Sequence, residues 1–187
     1  MDITKAAFKE AMKPEGYKKG DKFEDYVLSL FSASKKWHLL KRTQDYDHNS
    51  QMYEKSSLEP DFRFKHLASN AIINIECKYR ASLYNGMLEW CKREQLIRYK
   101  DGDKYNNTFI IIGYGGQPNN PEKIYLFKLS EVKYEKLYPS ILKDFEIEKG
   151  CCFDMKNNQI IQQSESESQK ALFNRRLEFV KNILKKK

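Results

Sequence analysis

The chain has 187 residues, a length that suits one α/β domain with its own hydrophobic core and calls for no second domain. Hydrophobic residues at 40% and aromatics at 13% exclude a disordered chain, while 32% charged residues predict a densely charged surface. Lys and Arg outnumber Asp and Glu by 34 to 26, and the net charge of +8 favours polyanionic partners.

Residues 1–19 are polar and rich in lysine, and Pro14 and Gly16 predict a break, so this stretch reads as an arm leading into one domain over 20–187. Phe23, Val27, Leu30 and Phe31 recur at helical spacing and predict a first helix from Asp21 to Ser34, capped by Asp21. A strand is expected over Trp37 to Lys41, followed by a long polar connection from Thr43 to Glu59. Asp61 to Lys65 and Ile73 to Tyr79 each alternate with period two, and Ala68-Ser69-Asn70 marks the turn between them. Met87, Trp90, Cys91 and Leu96 predict a second helix from Leu83 to Tyr99, ended by Asp101-Gly102-Asp103. The apolar run from Thr108 to Tyr114 reads as a central strand covered on both faces, terminated by Gly113, Gly115, Gly116 and Pro118. Lys123 to Leu129 is a further strand, and Ser130 starts a short helix. Phe173, Leu177, Val180 and Leu184 form a helical stripe behind a possible Ser164/Glu167 capping box, which predicts a docked C-terminal helix. The order of elements implies an α/β fold, a mixed sheet flanked by helices with an additional C-terminal helix.

Cys77 and Cys91 lie in apolar patterns and read as buried thiols, and none of the four cysteines has zinc-finger spacing with His38, His48 or His66. His38 is expected on a strand surface, His48 and His66 in loop or turn positions, and none as a catalytic base. No apolar run approaches the roughly 18 residues of a membrane span, and no signal-peptide core is visible, so no membrane association and a cytoplasmic location are expected.

The chemistry concentrates on the strand pair. In an extended strand Glu76 and Lys78 face one way, while Ile75, Cys77 and Tyr79 face the core. A hairpin turning at Ala68 and Ser69 sets Asp61 opposite Glu76, with a cross-strand Cβ separation of roughly 4.5–5.5 Å. Two carboxylates so placed repel unless a cation lies between them, and Mg²⁺ binds through one or two carboxylates, waters and a substrate phosphate. The Cys77 main-chain carbonyl is a further candidate ligand, and Lys78 could orient or deprotonate water or neutralise phosphate charge. The bland reading of Glu76-Cys77-Lys78 is a surface ion pair, and that of Pro60 a strand-start residue.

Pro60-Asp61 followed by Glu76-Cys77-Lys78 on the next strand resembles the PD-(D/E)xK nuclease superfamily, which includes type II restriction enzymes, Mrr-like enzymes and Holliday junction resolvases. The resemblance covers residues 20–114 and implies a restriction endonuclease-like core of helix, three-stranded meander, helix and strand. It implies Asp61, Glu76 and Lys78 as catalytic residues with Mg²⁺, for which Mn²⁺ could substitute. It further implies Glu24, in Gly20-x-x-Phe23-Glu24-x-x-Val27, as a metal or water ligand, and Gln95 as a residue that orients the site or contacts phosphate. From the residues alone, Glu24 could instead complete a capping box with Asp21, and Gln95 could be a solvated helix residue.

The expected activity is metal-dependent hydrolysis of nucleic acid, with a DNA endonuclease of repair, junction processing or defence as the first reading. Arg63, Lys65, Arg80, Lys92, Arg93 and Arg98 are the candidate phosphate contacts. Cutting both strands of a duplex needs two sites, so a homodimer is expected for that substrate. The alternatives are a non-catalytic nucleic-acid-binding module on the same fold and a protein-interaction subunit.

Overall fold

The computed structural model describes residues 13–43, 59–105 and 107–163. The expected C-terminal helix, His48 and most of the polar connection before Glu59 lie outside them. Helix α1 spans Glu15–Ala33, then β1 Trp37–Arg42, β2 Phe62–His66 and β3 Ile72–Arg80. A two-residue strand β4 (Leu88–Glu89) leads to helix α2 (Arg93–Gly102), then β5 (Thr108–Gln117) and β6 (Asn120–Lys128). The remainder is short: β7 Lys136–Leu137, α3 Pro139–Leu142, β8 Glu146–Ile147, and a hairpin of β9 (Cys152–Lys156) and β10 (Gln159–Gln163).

The main sheet runs β1-β2-β3-β5-β6-β8. Only β3 and β5 pair in parallel, which makes the sheet mixed as expected. β5 is central and buried on both sides. Phe109 and Ile111 enter one core with Phe23, Val27 and Phe31 of α1, while Ile110 and Ile112 enter a second with Trp90, Leu96, Tyr125 and Phe127. Among the described residues, no side chain of β1, β2 or β3 belongs to that second core. The second layer therefore covers the β5–β6 half of its face and leaves the β1–β2–β3 half open.

Three boundaries differ from the sequence expectation. Helix α1 starts at Glu15 instead of Asp21, because Pro14 and Gly16 fall at the helix start, where the backbone N–H groups lack intrahelical partners anyway. Residues 15–19 are thus helical, and Asp21 and Glu24 lie inside α1, which removes the capping-box reading. The apolar positions from Leu83 to Cys91 are not helical. Tyr84 and Met87 exchange backbone hydrogen bonds at 2.8 and 3.0 Å across Asn85 (φ 49°) and Gly86 (φ 74°). This is the Asn-Gly signature of a tight hairpin turn, where both central residues need positive φ. The ladder of β5 also runs past Gly115 and Gly116 to Gln117 before turning. His66, expected in a turn, is the last residue of β2 and is buried beneath Trp37.

Close approach of α1 to the sheet depends on Gly113. A Cβ at that position would stand 2.4 Å from the Phe23 ring. Gly113→Ala is expected to lower stability by about 1–3 kcal/mol through overpacking, read as a lower urea midpoint at unchanged slope. Adding Phe23→Leu is expected to recover part of the loss.

The β9–β10 hairpin is fastened to the same core by Asp154. Its carboxylate accepts from Lys36 Nζ at 2.5 Å and bonds His66 Nε2 at 2.9 Å, while Trp37 Nε1 donates to the Phe153 carbonyl at 2.9 Å. Burial pushes Asp154 up, but the hydrogen bonds from Lys36 and the Met155 N–H, the Lys36 charge and the His66 bond outweigh it and hold it below 3.8. Its stabilisation is therefore present above that value and is lost as pH falls through the depressed one. Asp154→Asn is expected to lower stability near neutral pH by about 1–3 kcal/mol and to flatten the acid limb of a stability–pH curve.

Candidate active site

Asp61 and Glu76 meet at the open end of the β2–β3 hairpin. Phe62 faces Ile75, Arg63 faces Asn74, Phe64 faces Ile73 and Lys65 faces Ile72. Continued by one residue, this register sets Asp61 opposite Glu76, as the turn position implied. Alternation then separates the faces. Ile75, Cys77 and Tyr79 pack toward α1, whereas Glu76 and Lys78 share the side of Ile110 and Ile112, their neighbours on β5.

Both carboxylates are buried, with Asp61 7% and Glu76 5% exposed. Asp61 Oδ2 accepts the Cys77 N–H at 2.6 Å. Glu76 Oε1 accepts from Lys78 Nζ at 2.5 Å and from the Tyr99 hydroxyl at 2.7 Å. Burial, and then the Glu76 charge, push the Asp61 carboxyl well above its ordinary 3.8. Burial disfavours the Lys78 ammonium, but Glu76 and Asp61 outweigh it and hold it well above 10.5. Burial and the Glu76 charge also raise Tyr99, so its hydroxyl keeps its proton and stays a donor.

Pro60 has a specific consequence here. The Asn74 N–H donates to the Asn107 carbonyl just ahead of β5, so the odd-numbered residues of β3 turn their backbone groups toward β2. Two residues further along the β2–β3 register, Pro60 stands opposite Cys77. The Cys77 N–H goes to Asp61, and Pro60 has no N–H to give the Cys77 carbonyl. Pro60's own carbonyl accepts the Thr43 hydroxyl at 2.8 Å. Among the described residues, Asp61 Oδ1 and Glu76 Oε2 accept no hydrogen bond.

Two buried carboxylate oxygens without protein donors, beside a main-chain carbonyl facing a proline, fit a hard divalent cation completed by water. No group of three His, Cys, Asp or Glu side chains stands close enough among the described residues to cage one unaided. Glu24 approaches from the α1 side. Its charge helps raise Asp61 and Cys77, while its carboxylate is held by Arg42 Nη2 at 3.2 Å.

The remaining expected site residues divide clearly. Gln95 lies in the first turn of α2, where its Oε1 accepts the Lys92 N–H at 2.9 Å and closes that turn. The Arg80 guanidinium donates to the carbonyls of Tyr79, Glu89 and Trp90 at 2.6–2.9 Å, tying β4 to β3. Lys92, Arg93 and Arg98 are exposed on or beside α2, and Arg63 and Lys65 line the open sheet face. Sequence reading missed Tyr99. Its signal was the spacing of three from Leu96 and four from Gln95, which puts one helix face over the sheet. A scan against protein-family models finds no match to this chain, and a search of curated proteins finds no similar sequence.

Removing charges one at a time is expected to split the site's energetics. Lys78→Met leaves Glu76 and Asp61 uncompensated and is expected to destabilise the metal-free protein by about 3 kcal/mol. Asp61→Asn keeps an acceptor for the Cys77 N–H and relieves repulsion, so a gain of about 0.5–2 kcal/mol is expected. Chemical denaturation in a chelator reads both.

Proposed function

We propose that the chain is a Mg²⁺-dependent nuclease with a PD-(D/E)xK-type site, acting on DNA, in which Asp61, Glu76 and the Cys77 carbonyl hold the metal. The single observation that carries this reading is the pair of opposed, buried carboxylates with a lysine on the same strand face. Mn²⁺ would serve in place of Mg²⁺. The bound ion supplies Lewis acidity toward a phosphate oxygen and makes hydroxide available from water near neutral pH.

The protein groups have separable roles. Asp61 and Glu76 present their unpaired oxygens on one side of the hairpin end. Lys78, kept cationic by both, neutralises charge on the phosphate and orients the attacking water; an amine so firmly protonated is a poor base. Tyr99 fixes Glu76 Oε1 and so leaves Oε2 for the metal. Water oxygen bonds to phosphorus, the bond to the 3′ oxygen breaks, and a proton passes to that leaving oxygen, giving a 5′-phosphate and a 3′-hydroxyl. Glu24 and Gln95 act outside this centre, as an added negative charge and as the brace of the α2 start. A single strand needs one such site, whereas both strands of a duplex would need a second copy of the chain.

One observation favours a second reading. Glu76 Oε1 already takes two donors, Lys78 and Tyr99, so the lysine could neutralise the carboxylates permanently in a non-catalytic nucleic-acid-binding module. Cleavage of single-stranded, duplex, branched and RNA substrates with Mn²⁺ separates the two. The nuclease reading expects metal-dependent cutting that falls about 10²–10⁴-fold in Lys78→Ala and Asp61→Asn with binding retained. Tight binding by well-folded protein with no cutting of any substrate would favour the module.

A further inference from the structure

The open half of the sheet forms a grid that leads away from the carboxylates. Residues paired across strands share a face, and successive rows lie two residues apart, about 6.6–6.8 Å along β2. Beyond the row of Asp61 and Glu76 comes one of Lys41, Arg63 and Asn74, then one of His38, Lys65 and Ile72. Arg63 is exposed, with Nε donating to Asn74 Oδ1 at 3.2 Å, and Lys41 forms an ion pair with Glu59 at the outer edge. Ile72 is 46% exposed, which an apolar side chain under a packed layer would not be.

The chain entering β5 meets one end of this floor. Asn107 Nδ2 donates to the Ile72 carbonyl at 2.8 Å, and the Asn107 carbonyl accepts the Asn74 N–H at 3.0 Å. Asn107 is thereby pinned beside these two rows. Tyr105, two residues earlier, is 86% exposed.

We propose that this face is the track of a single polynucleotide strand, with backbone phosphates on Arg63 and Lys65 and an unpaired base stacked on Tyr105. The inference rests on the nuclease reading, since it places the strand's next phosphate at Asp61 and Glu76. Three features select one strand over a duplex. The floor spans β1 to β3, two strand spacings or about 10 Å, with α2 as a wall on its other side. Arg63 and Lys65 follow one line along β2, while Lys41 on β1 is held by Glu59. An exposed tyrosine stacks on a base only when that base is unpaired.

The test is fluorescence anisotropy in a chelator, with a labelled oligothymidylate, a DNA duplex of equal length and an oligouridylate, over a range of salt. Wild-type protein is expected to bind the single strand at least ten-fold tighter than the duplex. Arg63→Gln with Lys65→Gln is expected to weaken single-strand binding about ten-fold or more and to reduce the log–log salt slope by about 1.4, the contribution of two phosphate contacts. Tyr105→Ala is expected to weaken it about five-fold to a hundred-fold, and Tyr105→Phe to retain it. Arg63 and Tyr105 are exposed and Lys65 is half-buried, and unchanged melting curves would confirm intact folding. Equal affinity for duplex and single strand, or Tyr105→Ala with wild-type affinity, would overturn the track. Comparable oligouridylate binding would support it and extend it to RNA. Because binding is read without metal, absence of Mn²⁺-supported cutting would count against the nuclease alone, while duplex-only cutting would sink the track and leave the nuclease standing.

Discussion

Burying two like charges opposite each other at a hairpin end is the constraint around which the rest of this protein is arranged. Asp61 and Glu76 are nearly inaccessible, and a carboxylate in such a place is stable only with compensation. Lys78, Tyr99 and the Cys77 N–H supply what the protein itself provides. Among the described residues, that set leaves one oxygen of each carboxylate and the carbonyl opposite Pro60 unmatched. Gly113 lets Phe23, and with it Glu24, come close to the sheet; Arg80 ties β4 to β3 and so places the segment that leads into α2 and Tyr99.

The two faces of the sheet divide the labour. One is sealed along its length by α1 and the β9–β10 hairpin, fastened through Asp154, and fixes the strands. The other is sealed only over β5 and β6, where the segment after β4, α2 and the chain after β6 contribute Trp90, Leu96, Leu129 and Leu142. The carboxylates lie at the boundary between its covered and open halves. Covered surroundings strengthen the electrostatics of Glu76 and Lys78, and open surroundings leave Arg63 and Lys65 accessible to the proposed polyanionic substrate.

Much of this arrangement was legible in the sequence because it follows from periodicity. Alternation in residues 61–65 and 73–79, together with a turn at Ala68-Ser69-Asn70, fixes which residue opposes Asp61, since a slip of one would turn Phe62, Phe64, Ile73 and Ile75 outward. The apolar run at 108–114 likewise implies a strand buried on both sides. What periodicity could not resolve was the stretch from Leu83 to Cys91. Its apolar residues sit at spacings compatible with a helix, but the local chemistry of Asn85-Gly86 prevails and a tight hairpin forms. That error also set Gln95 in the middle of a helix, whereas it falls in the first turn of α2 and braces the helix start. Asp154 escaped for another reason: it acts on residues distant in sequence, and no local pattern announces a contact of that range; for Tyr99 the helical spacing marks its face but not its partner Glu76.

The central claim is that the electrostatic deficit between Asp61 and Glu76 is a metal site. Anomalous scattering from crystals soaked in Mn²⁺ addresses it directly. The account predicts a single strong peak beside the Asp61 and Glu76 carboxylates and no such peak in Asp61→Asn crystals. Wild-type crystals in which this position stays empty at saturating Mn²⁺, with Lys78 still seated on Glu76, would contradict it.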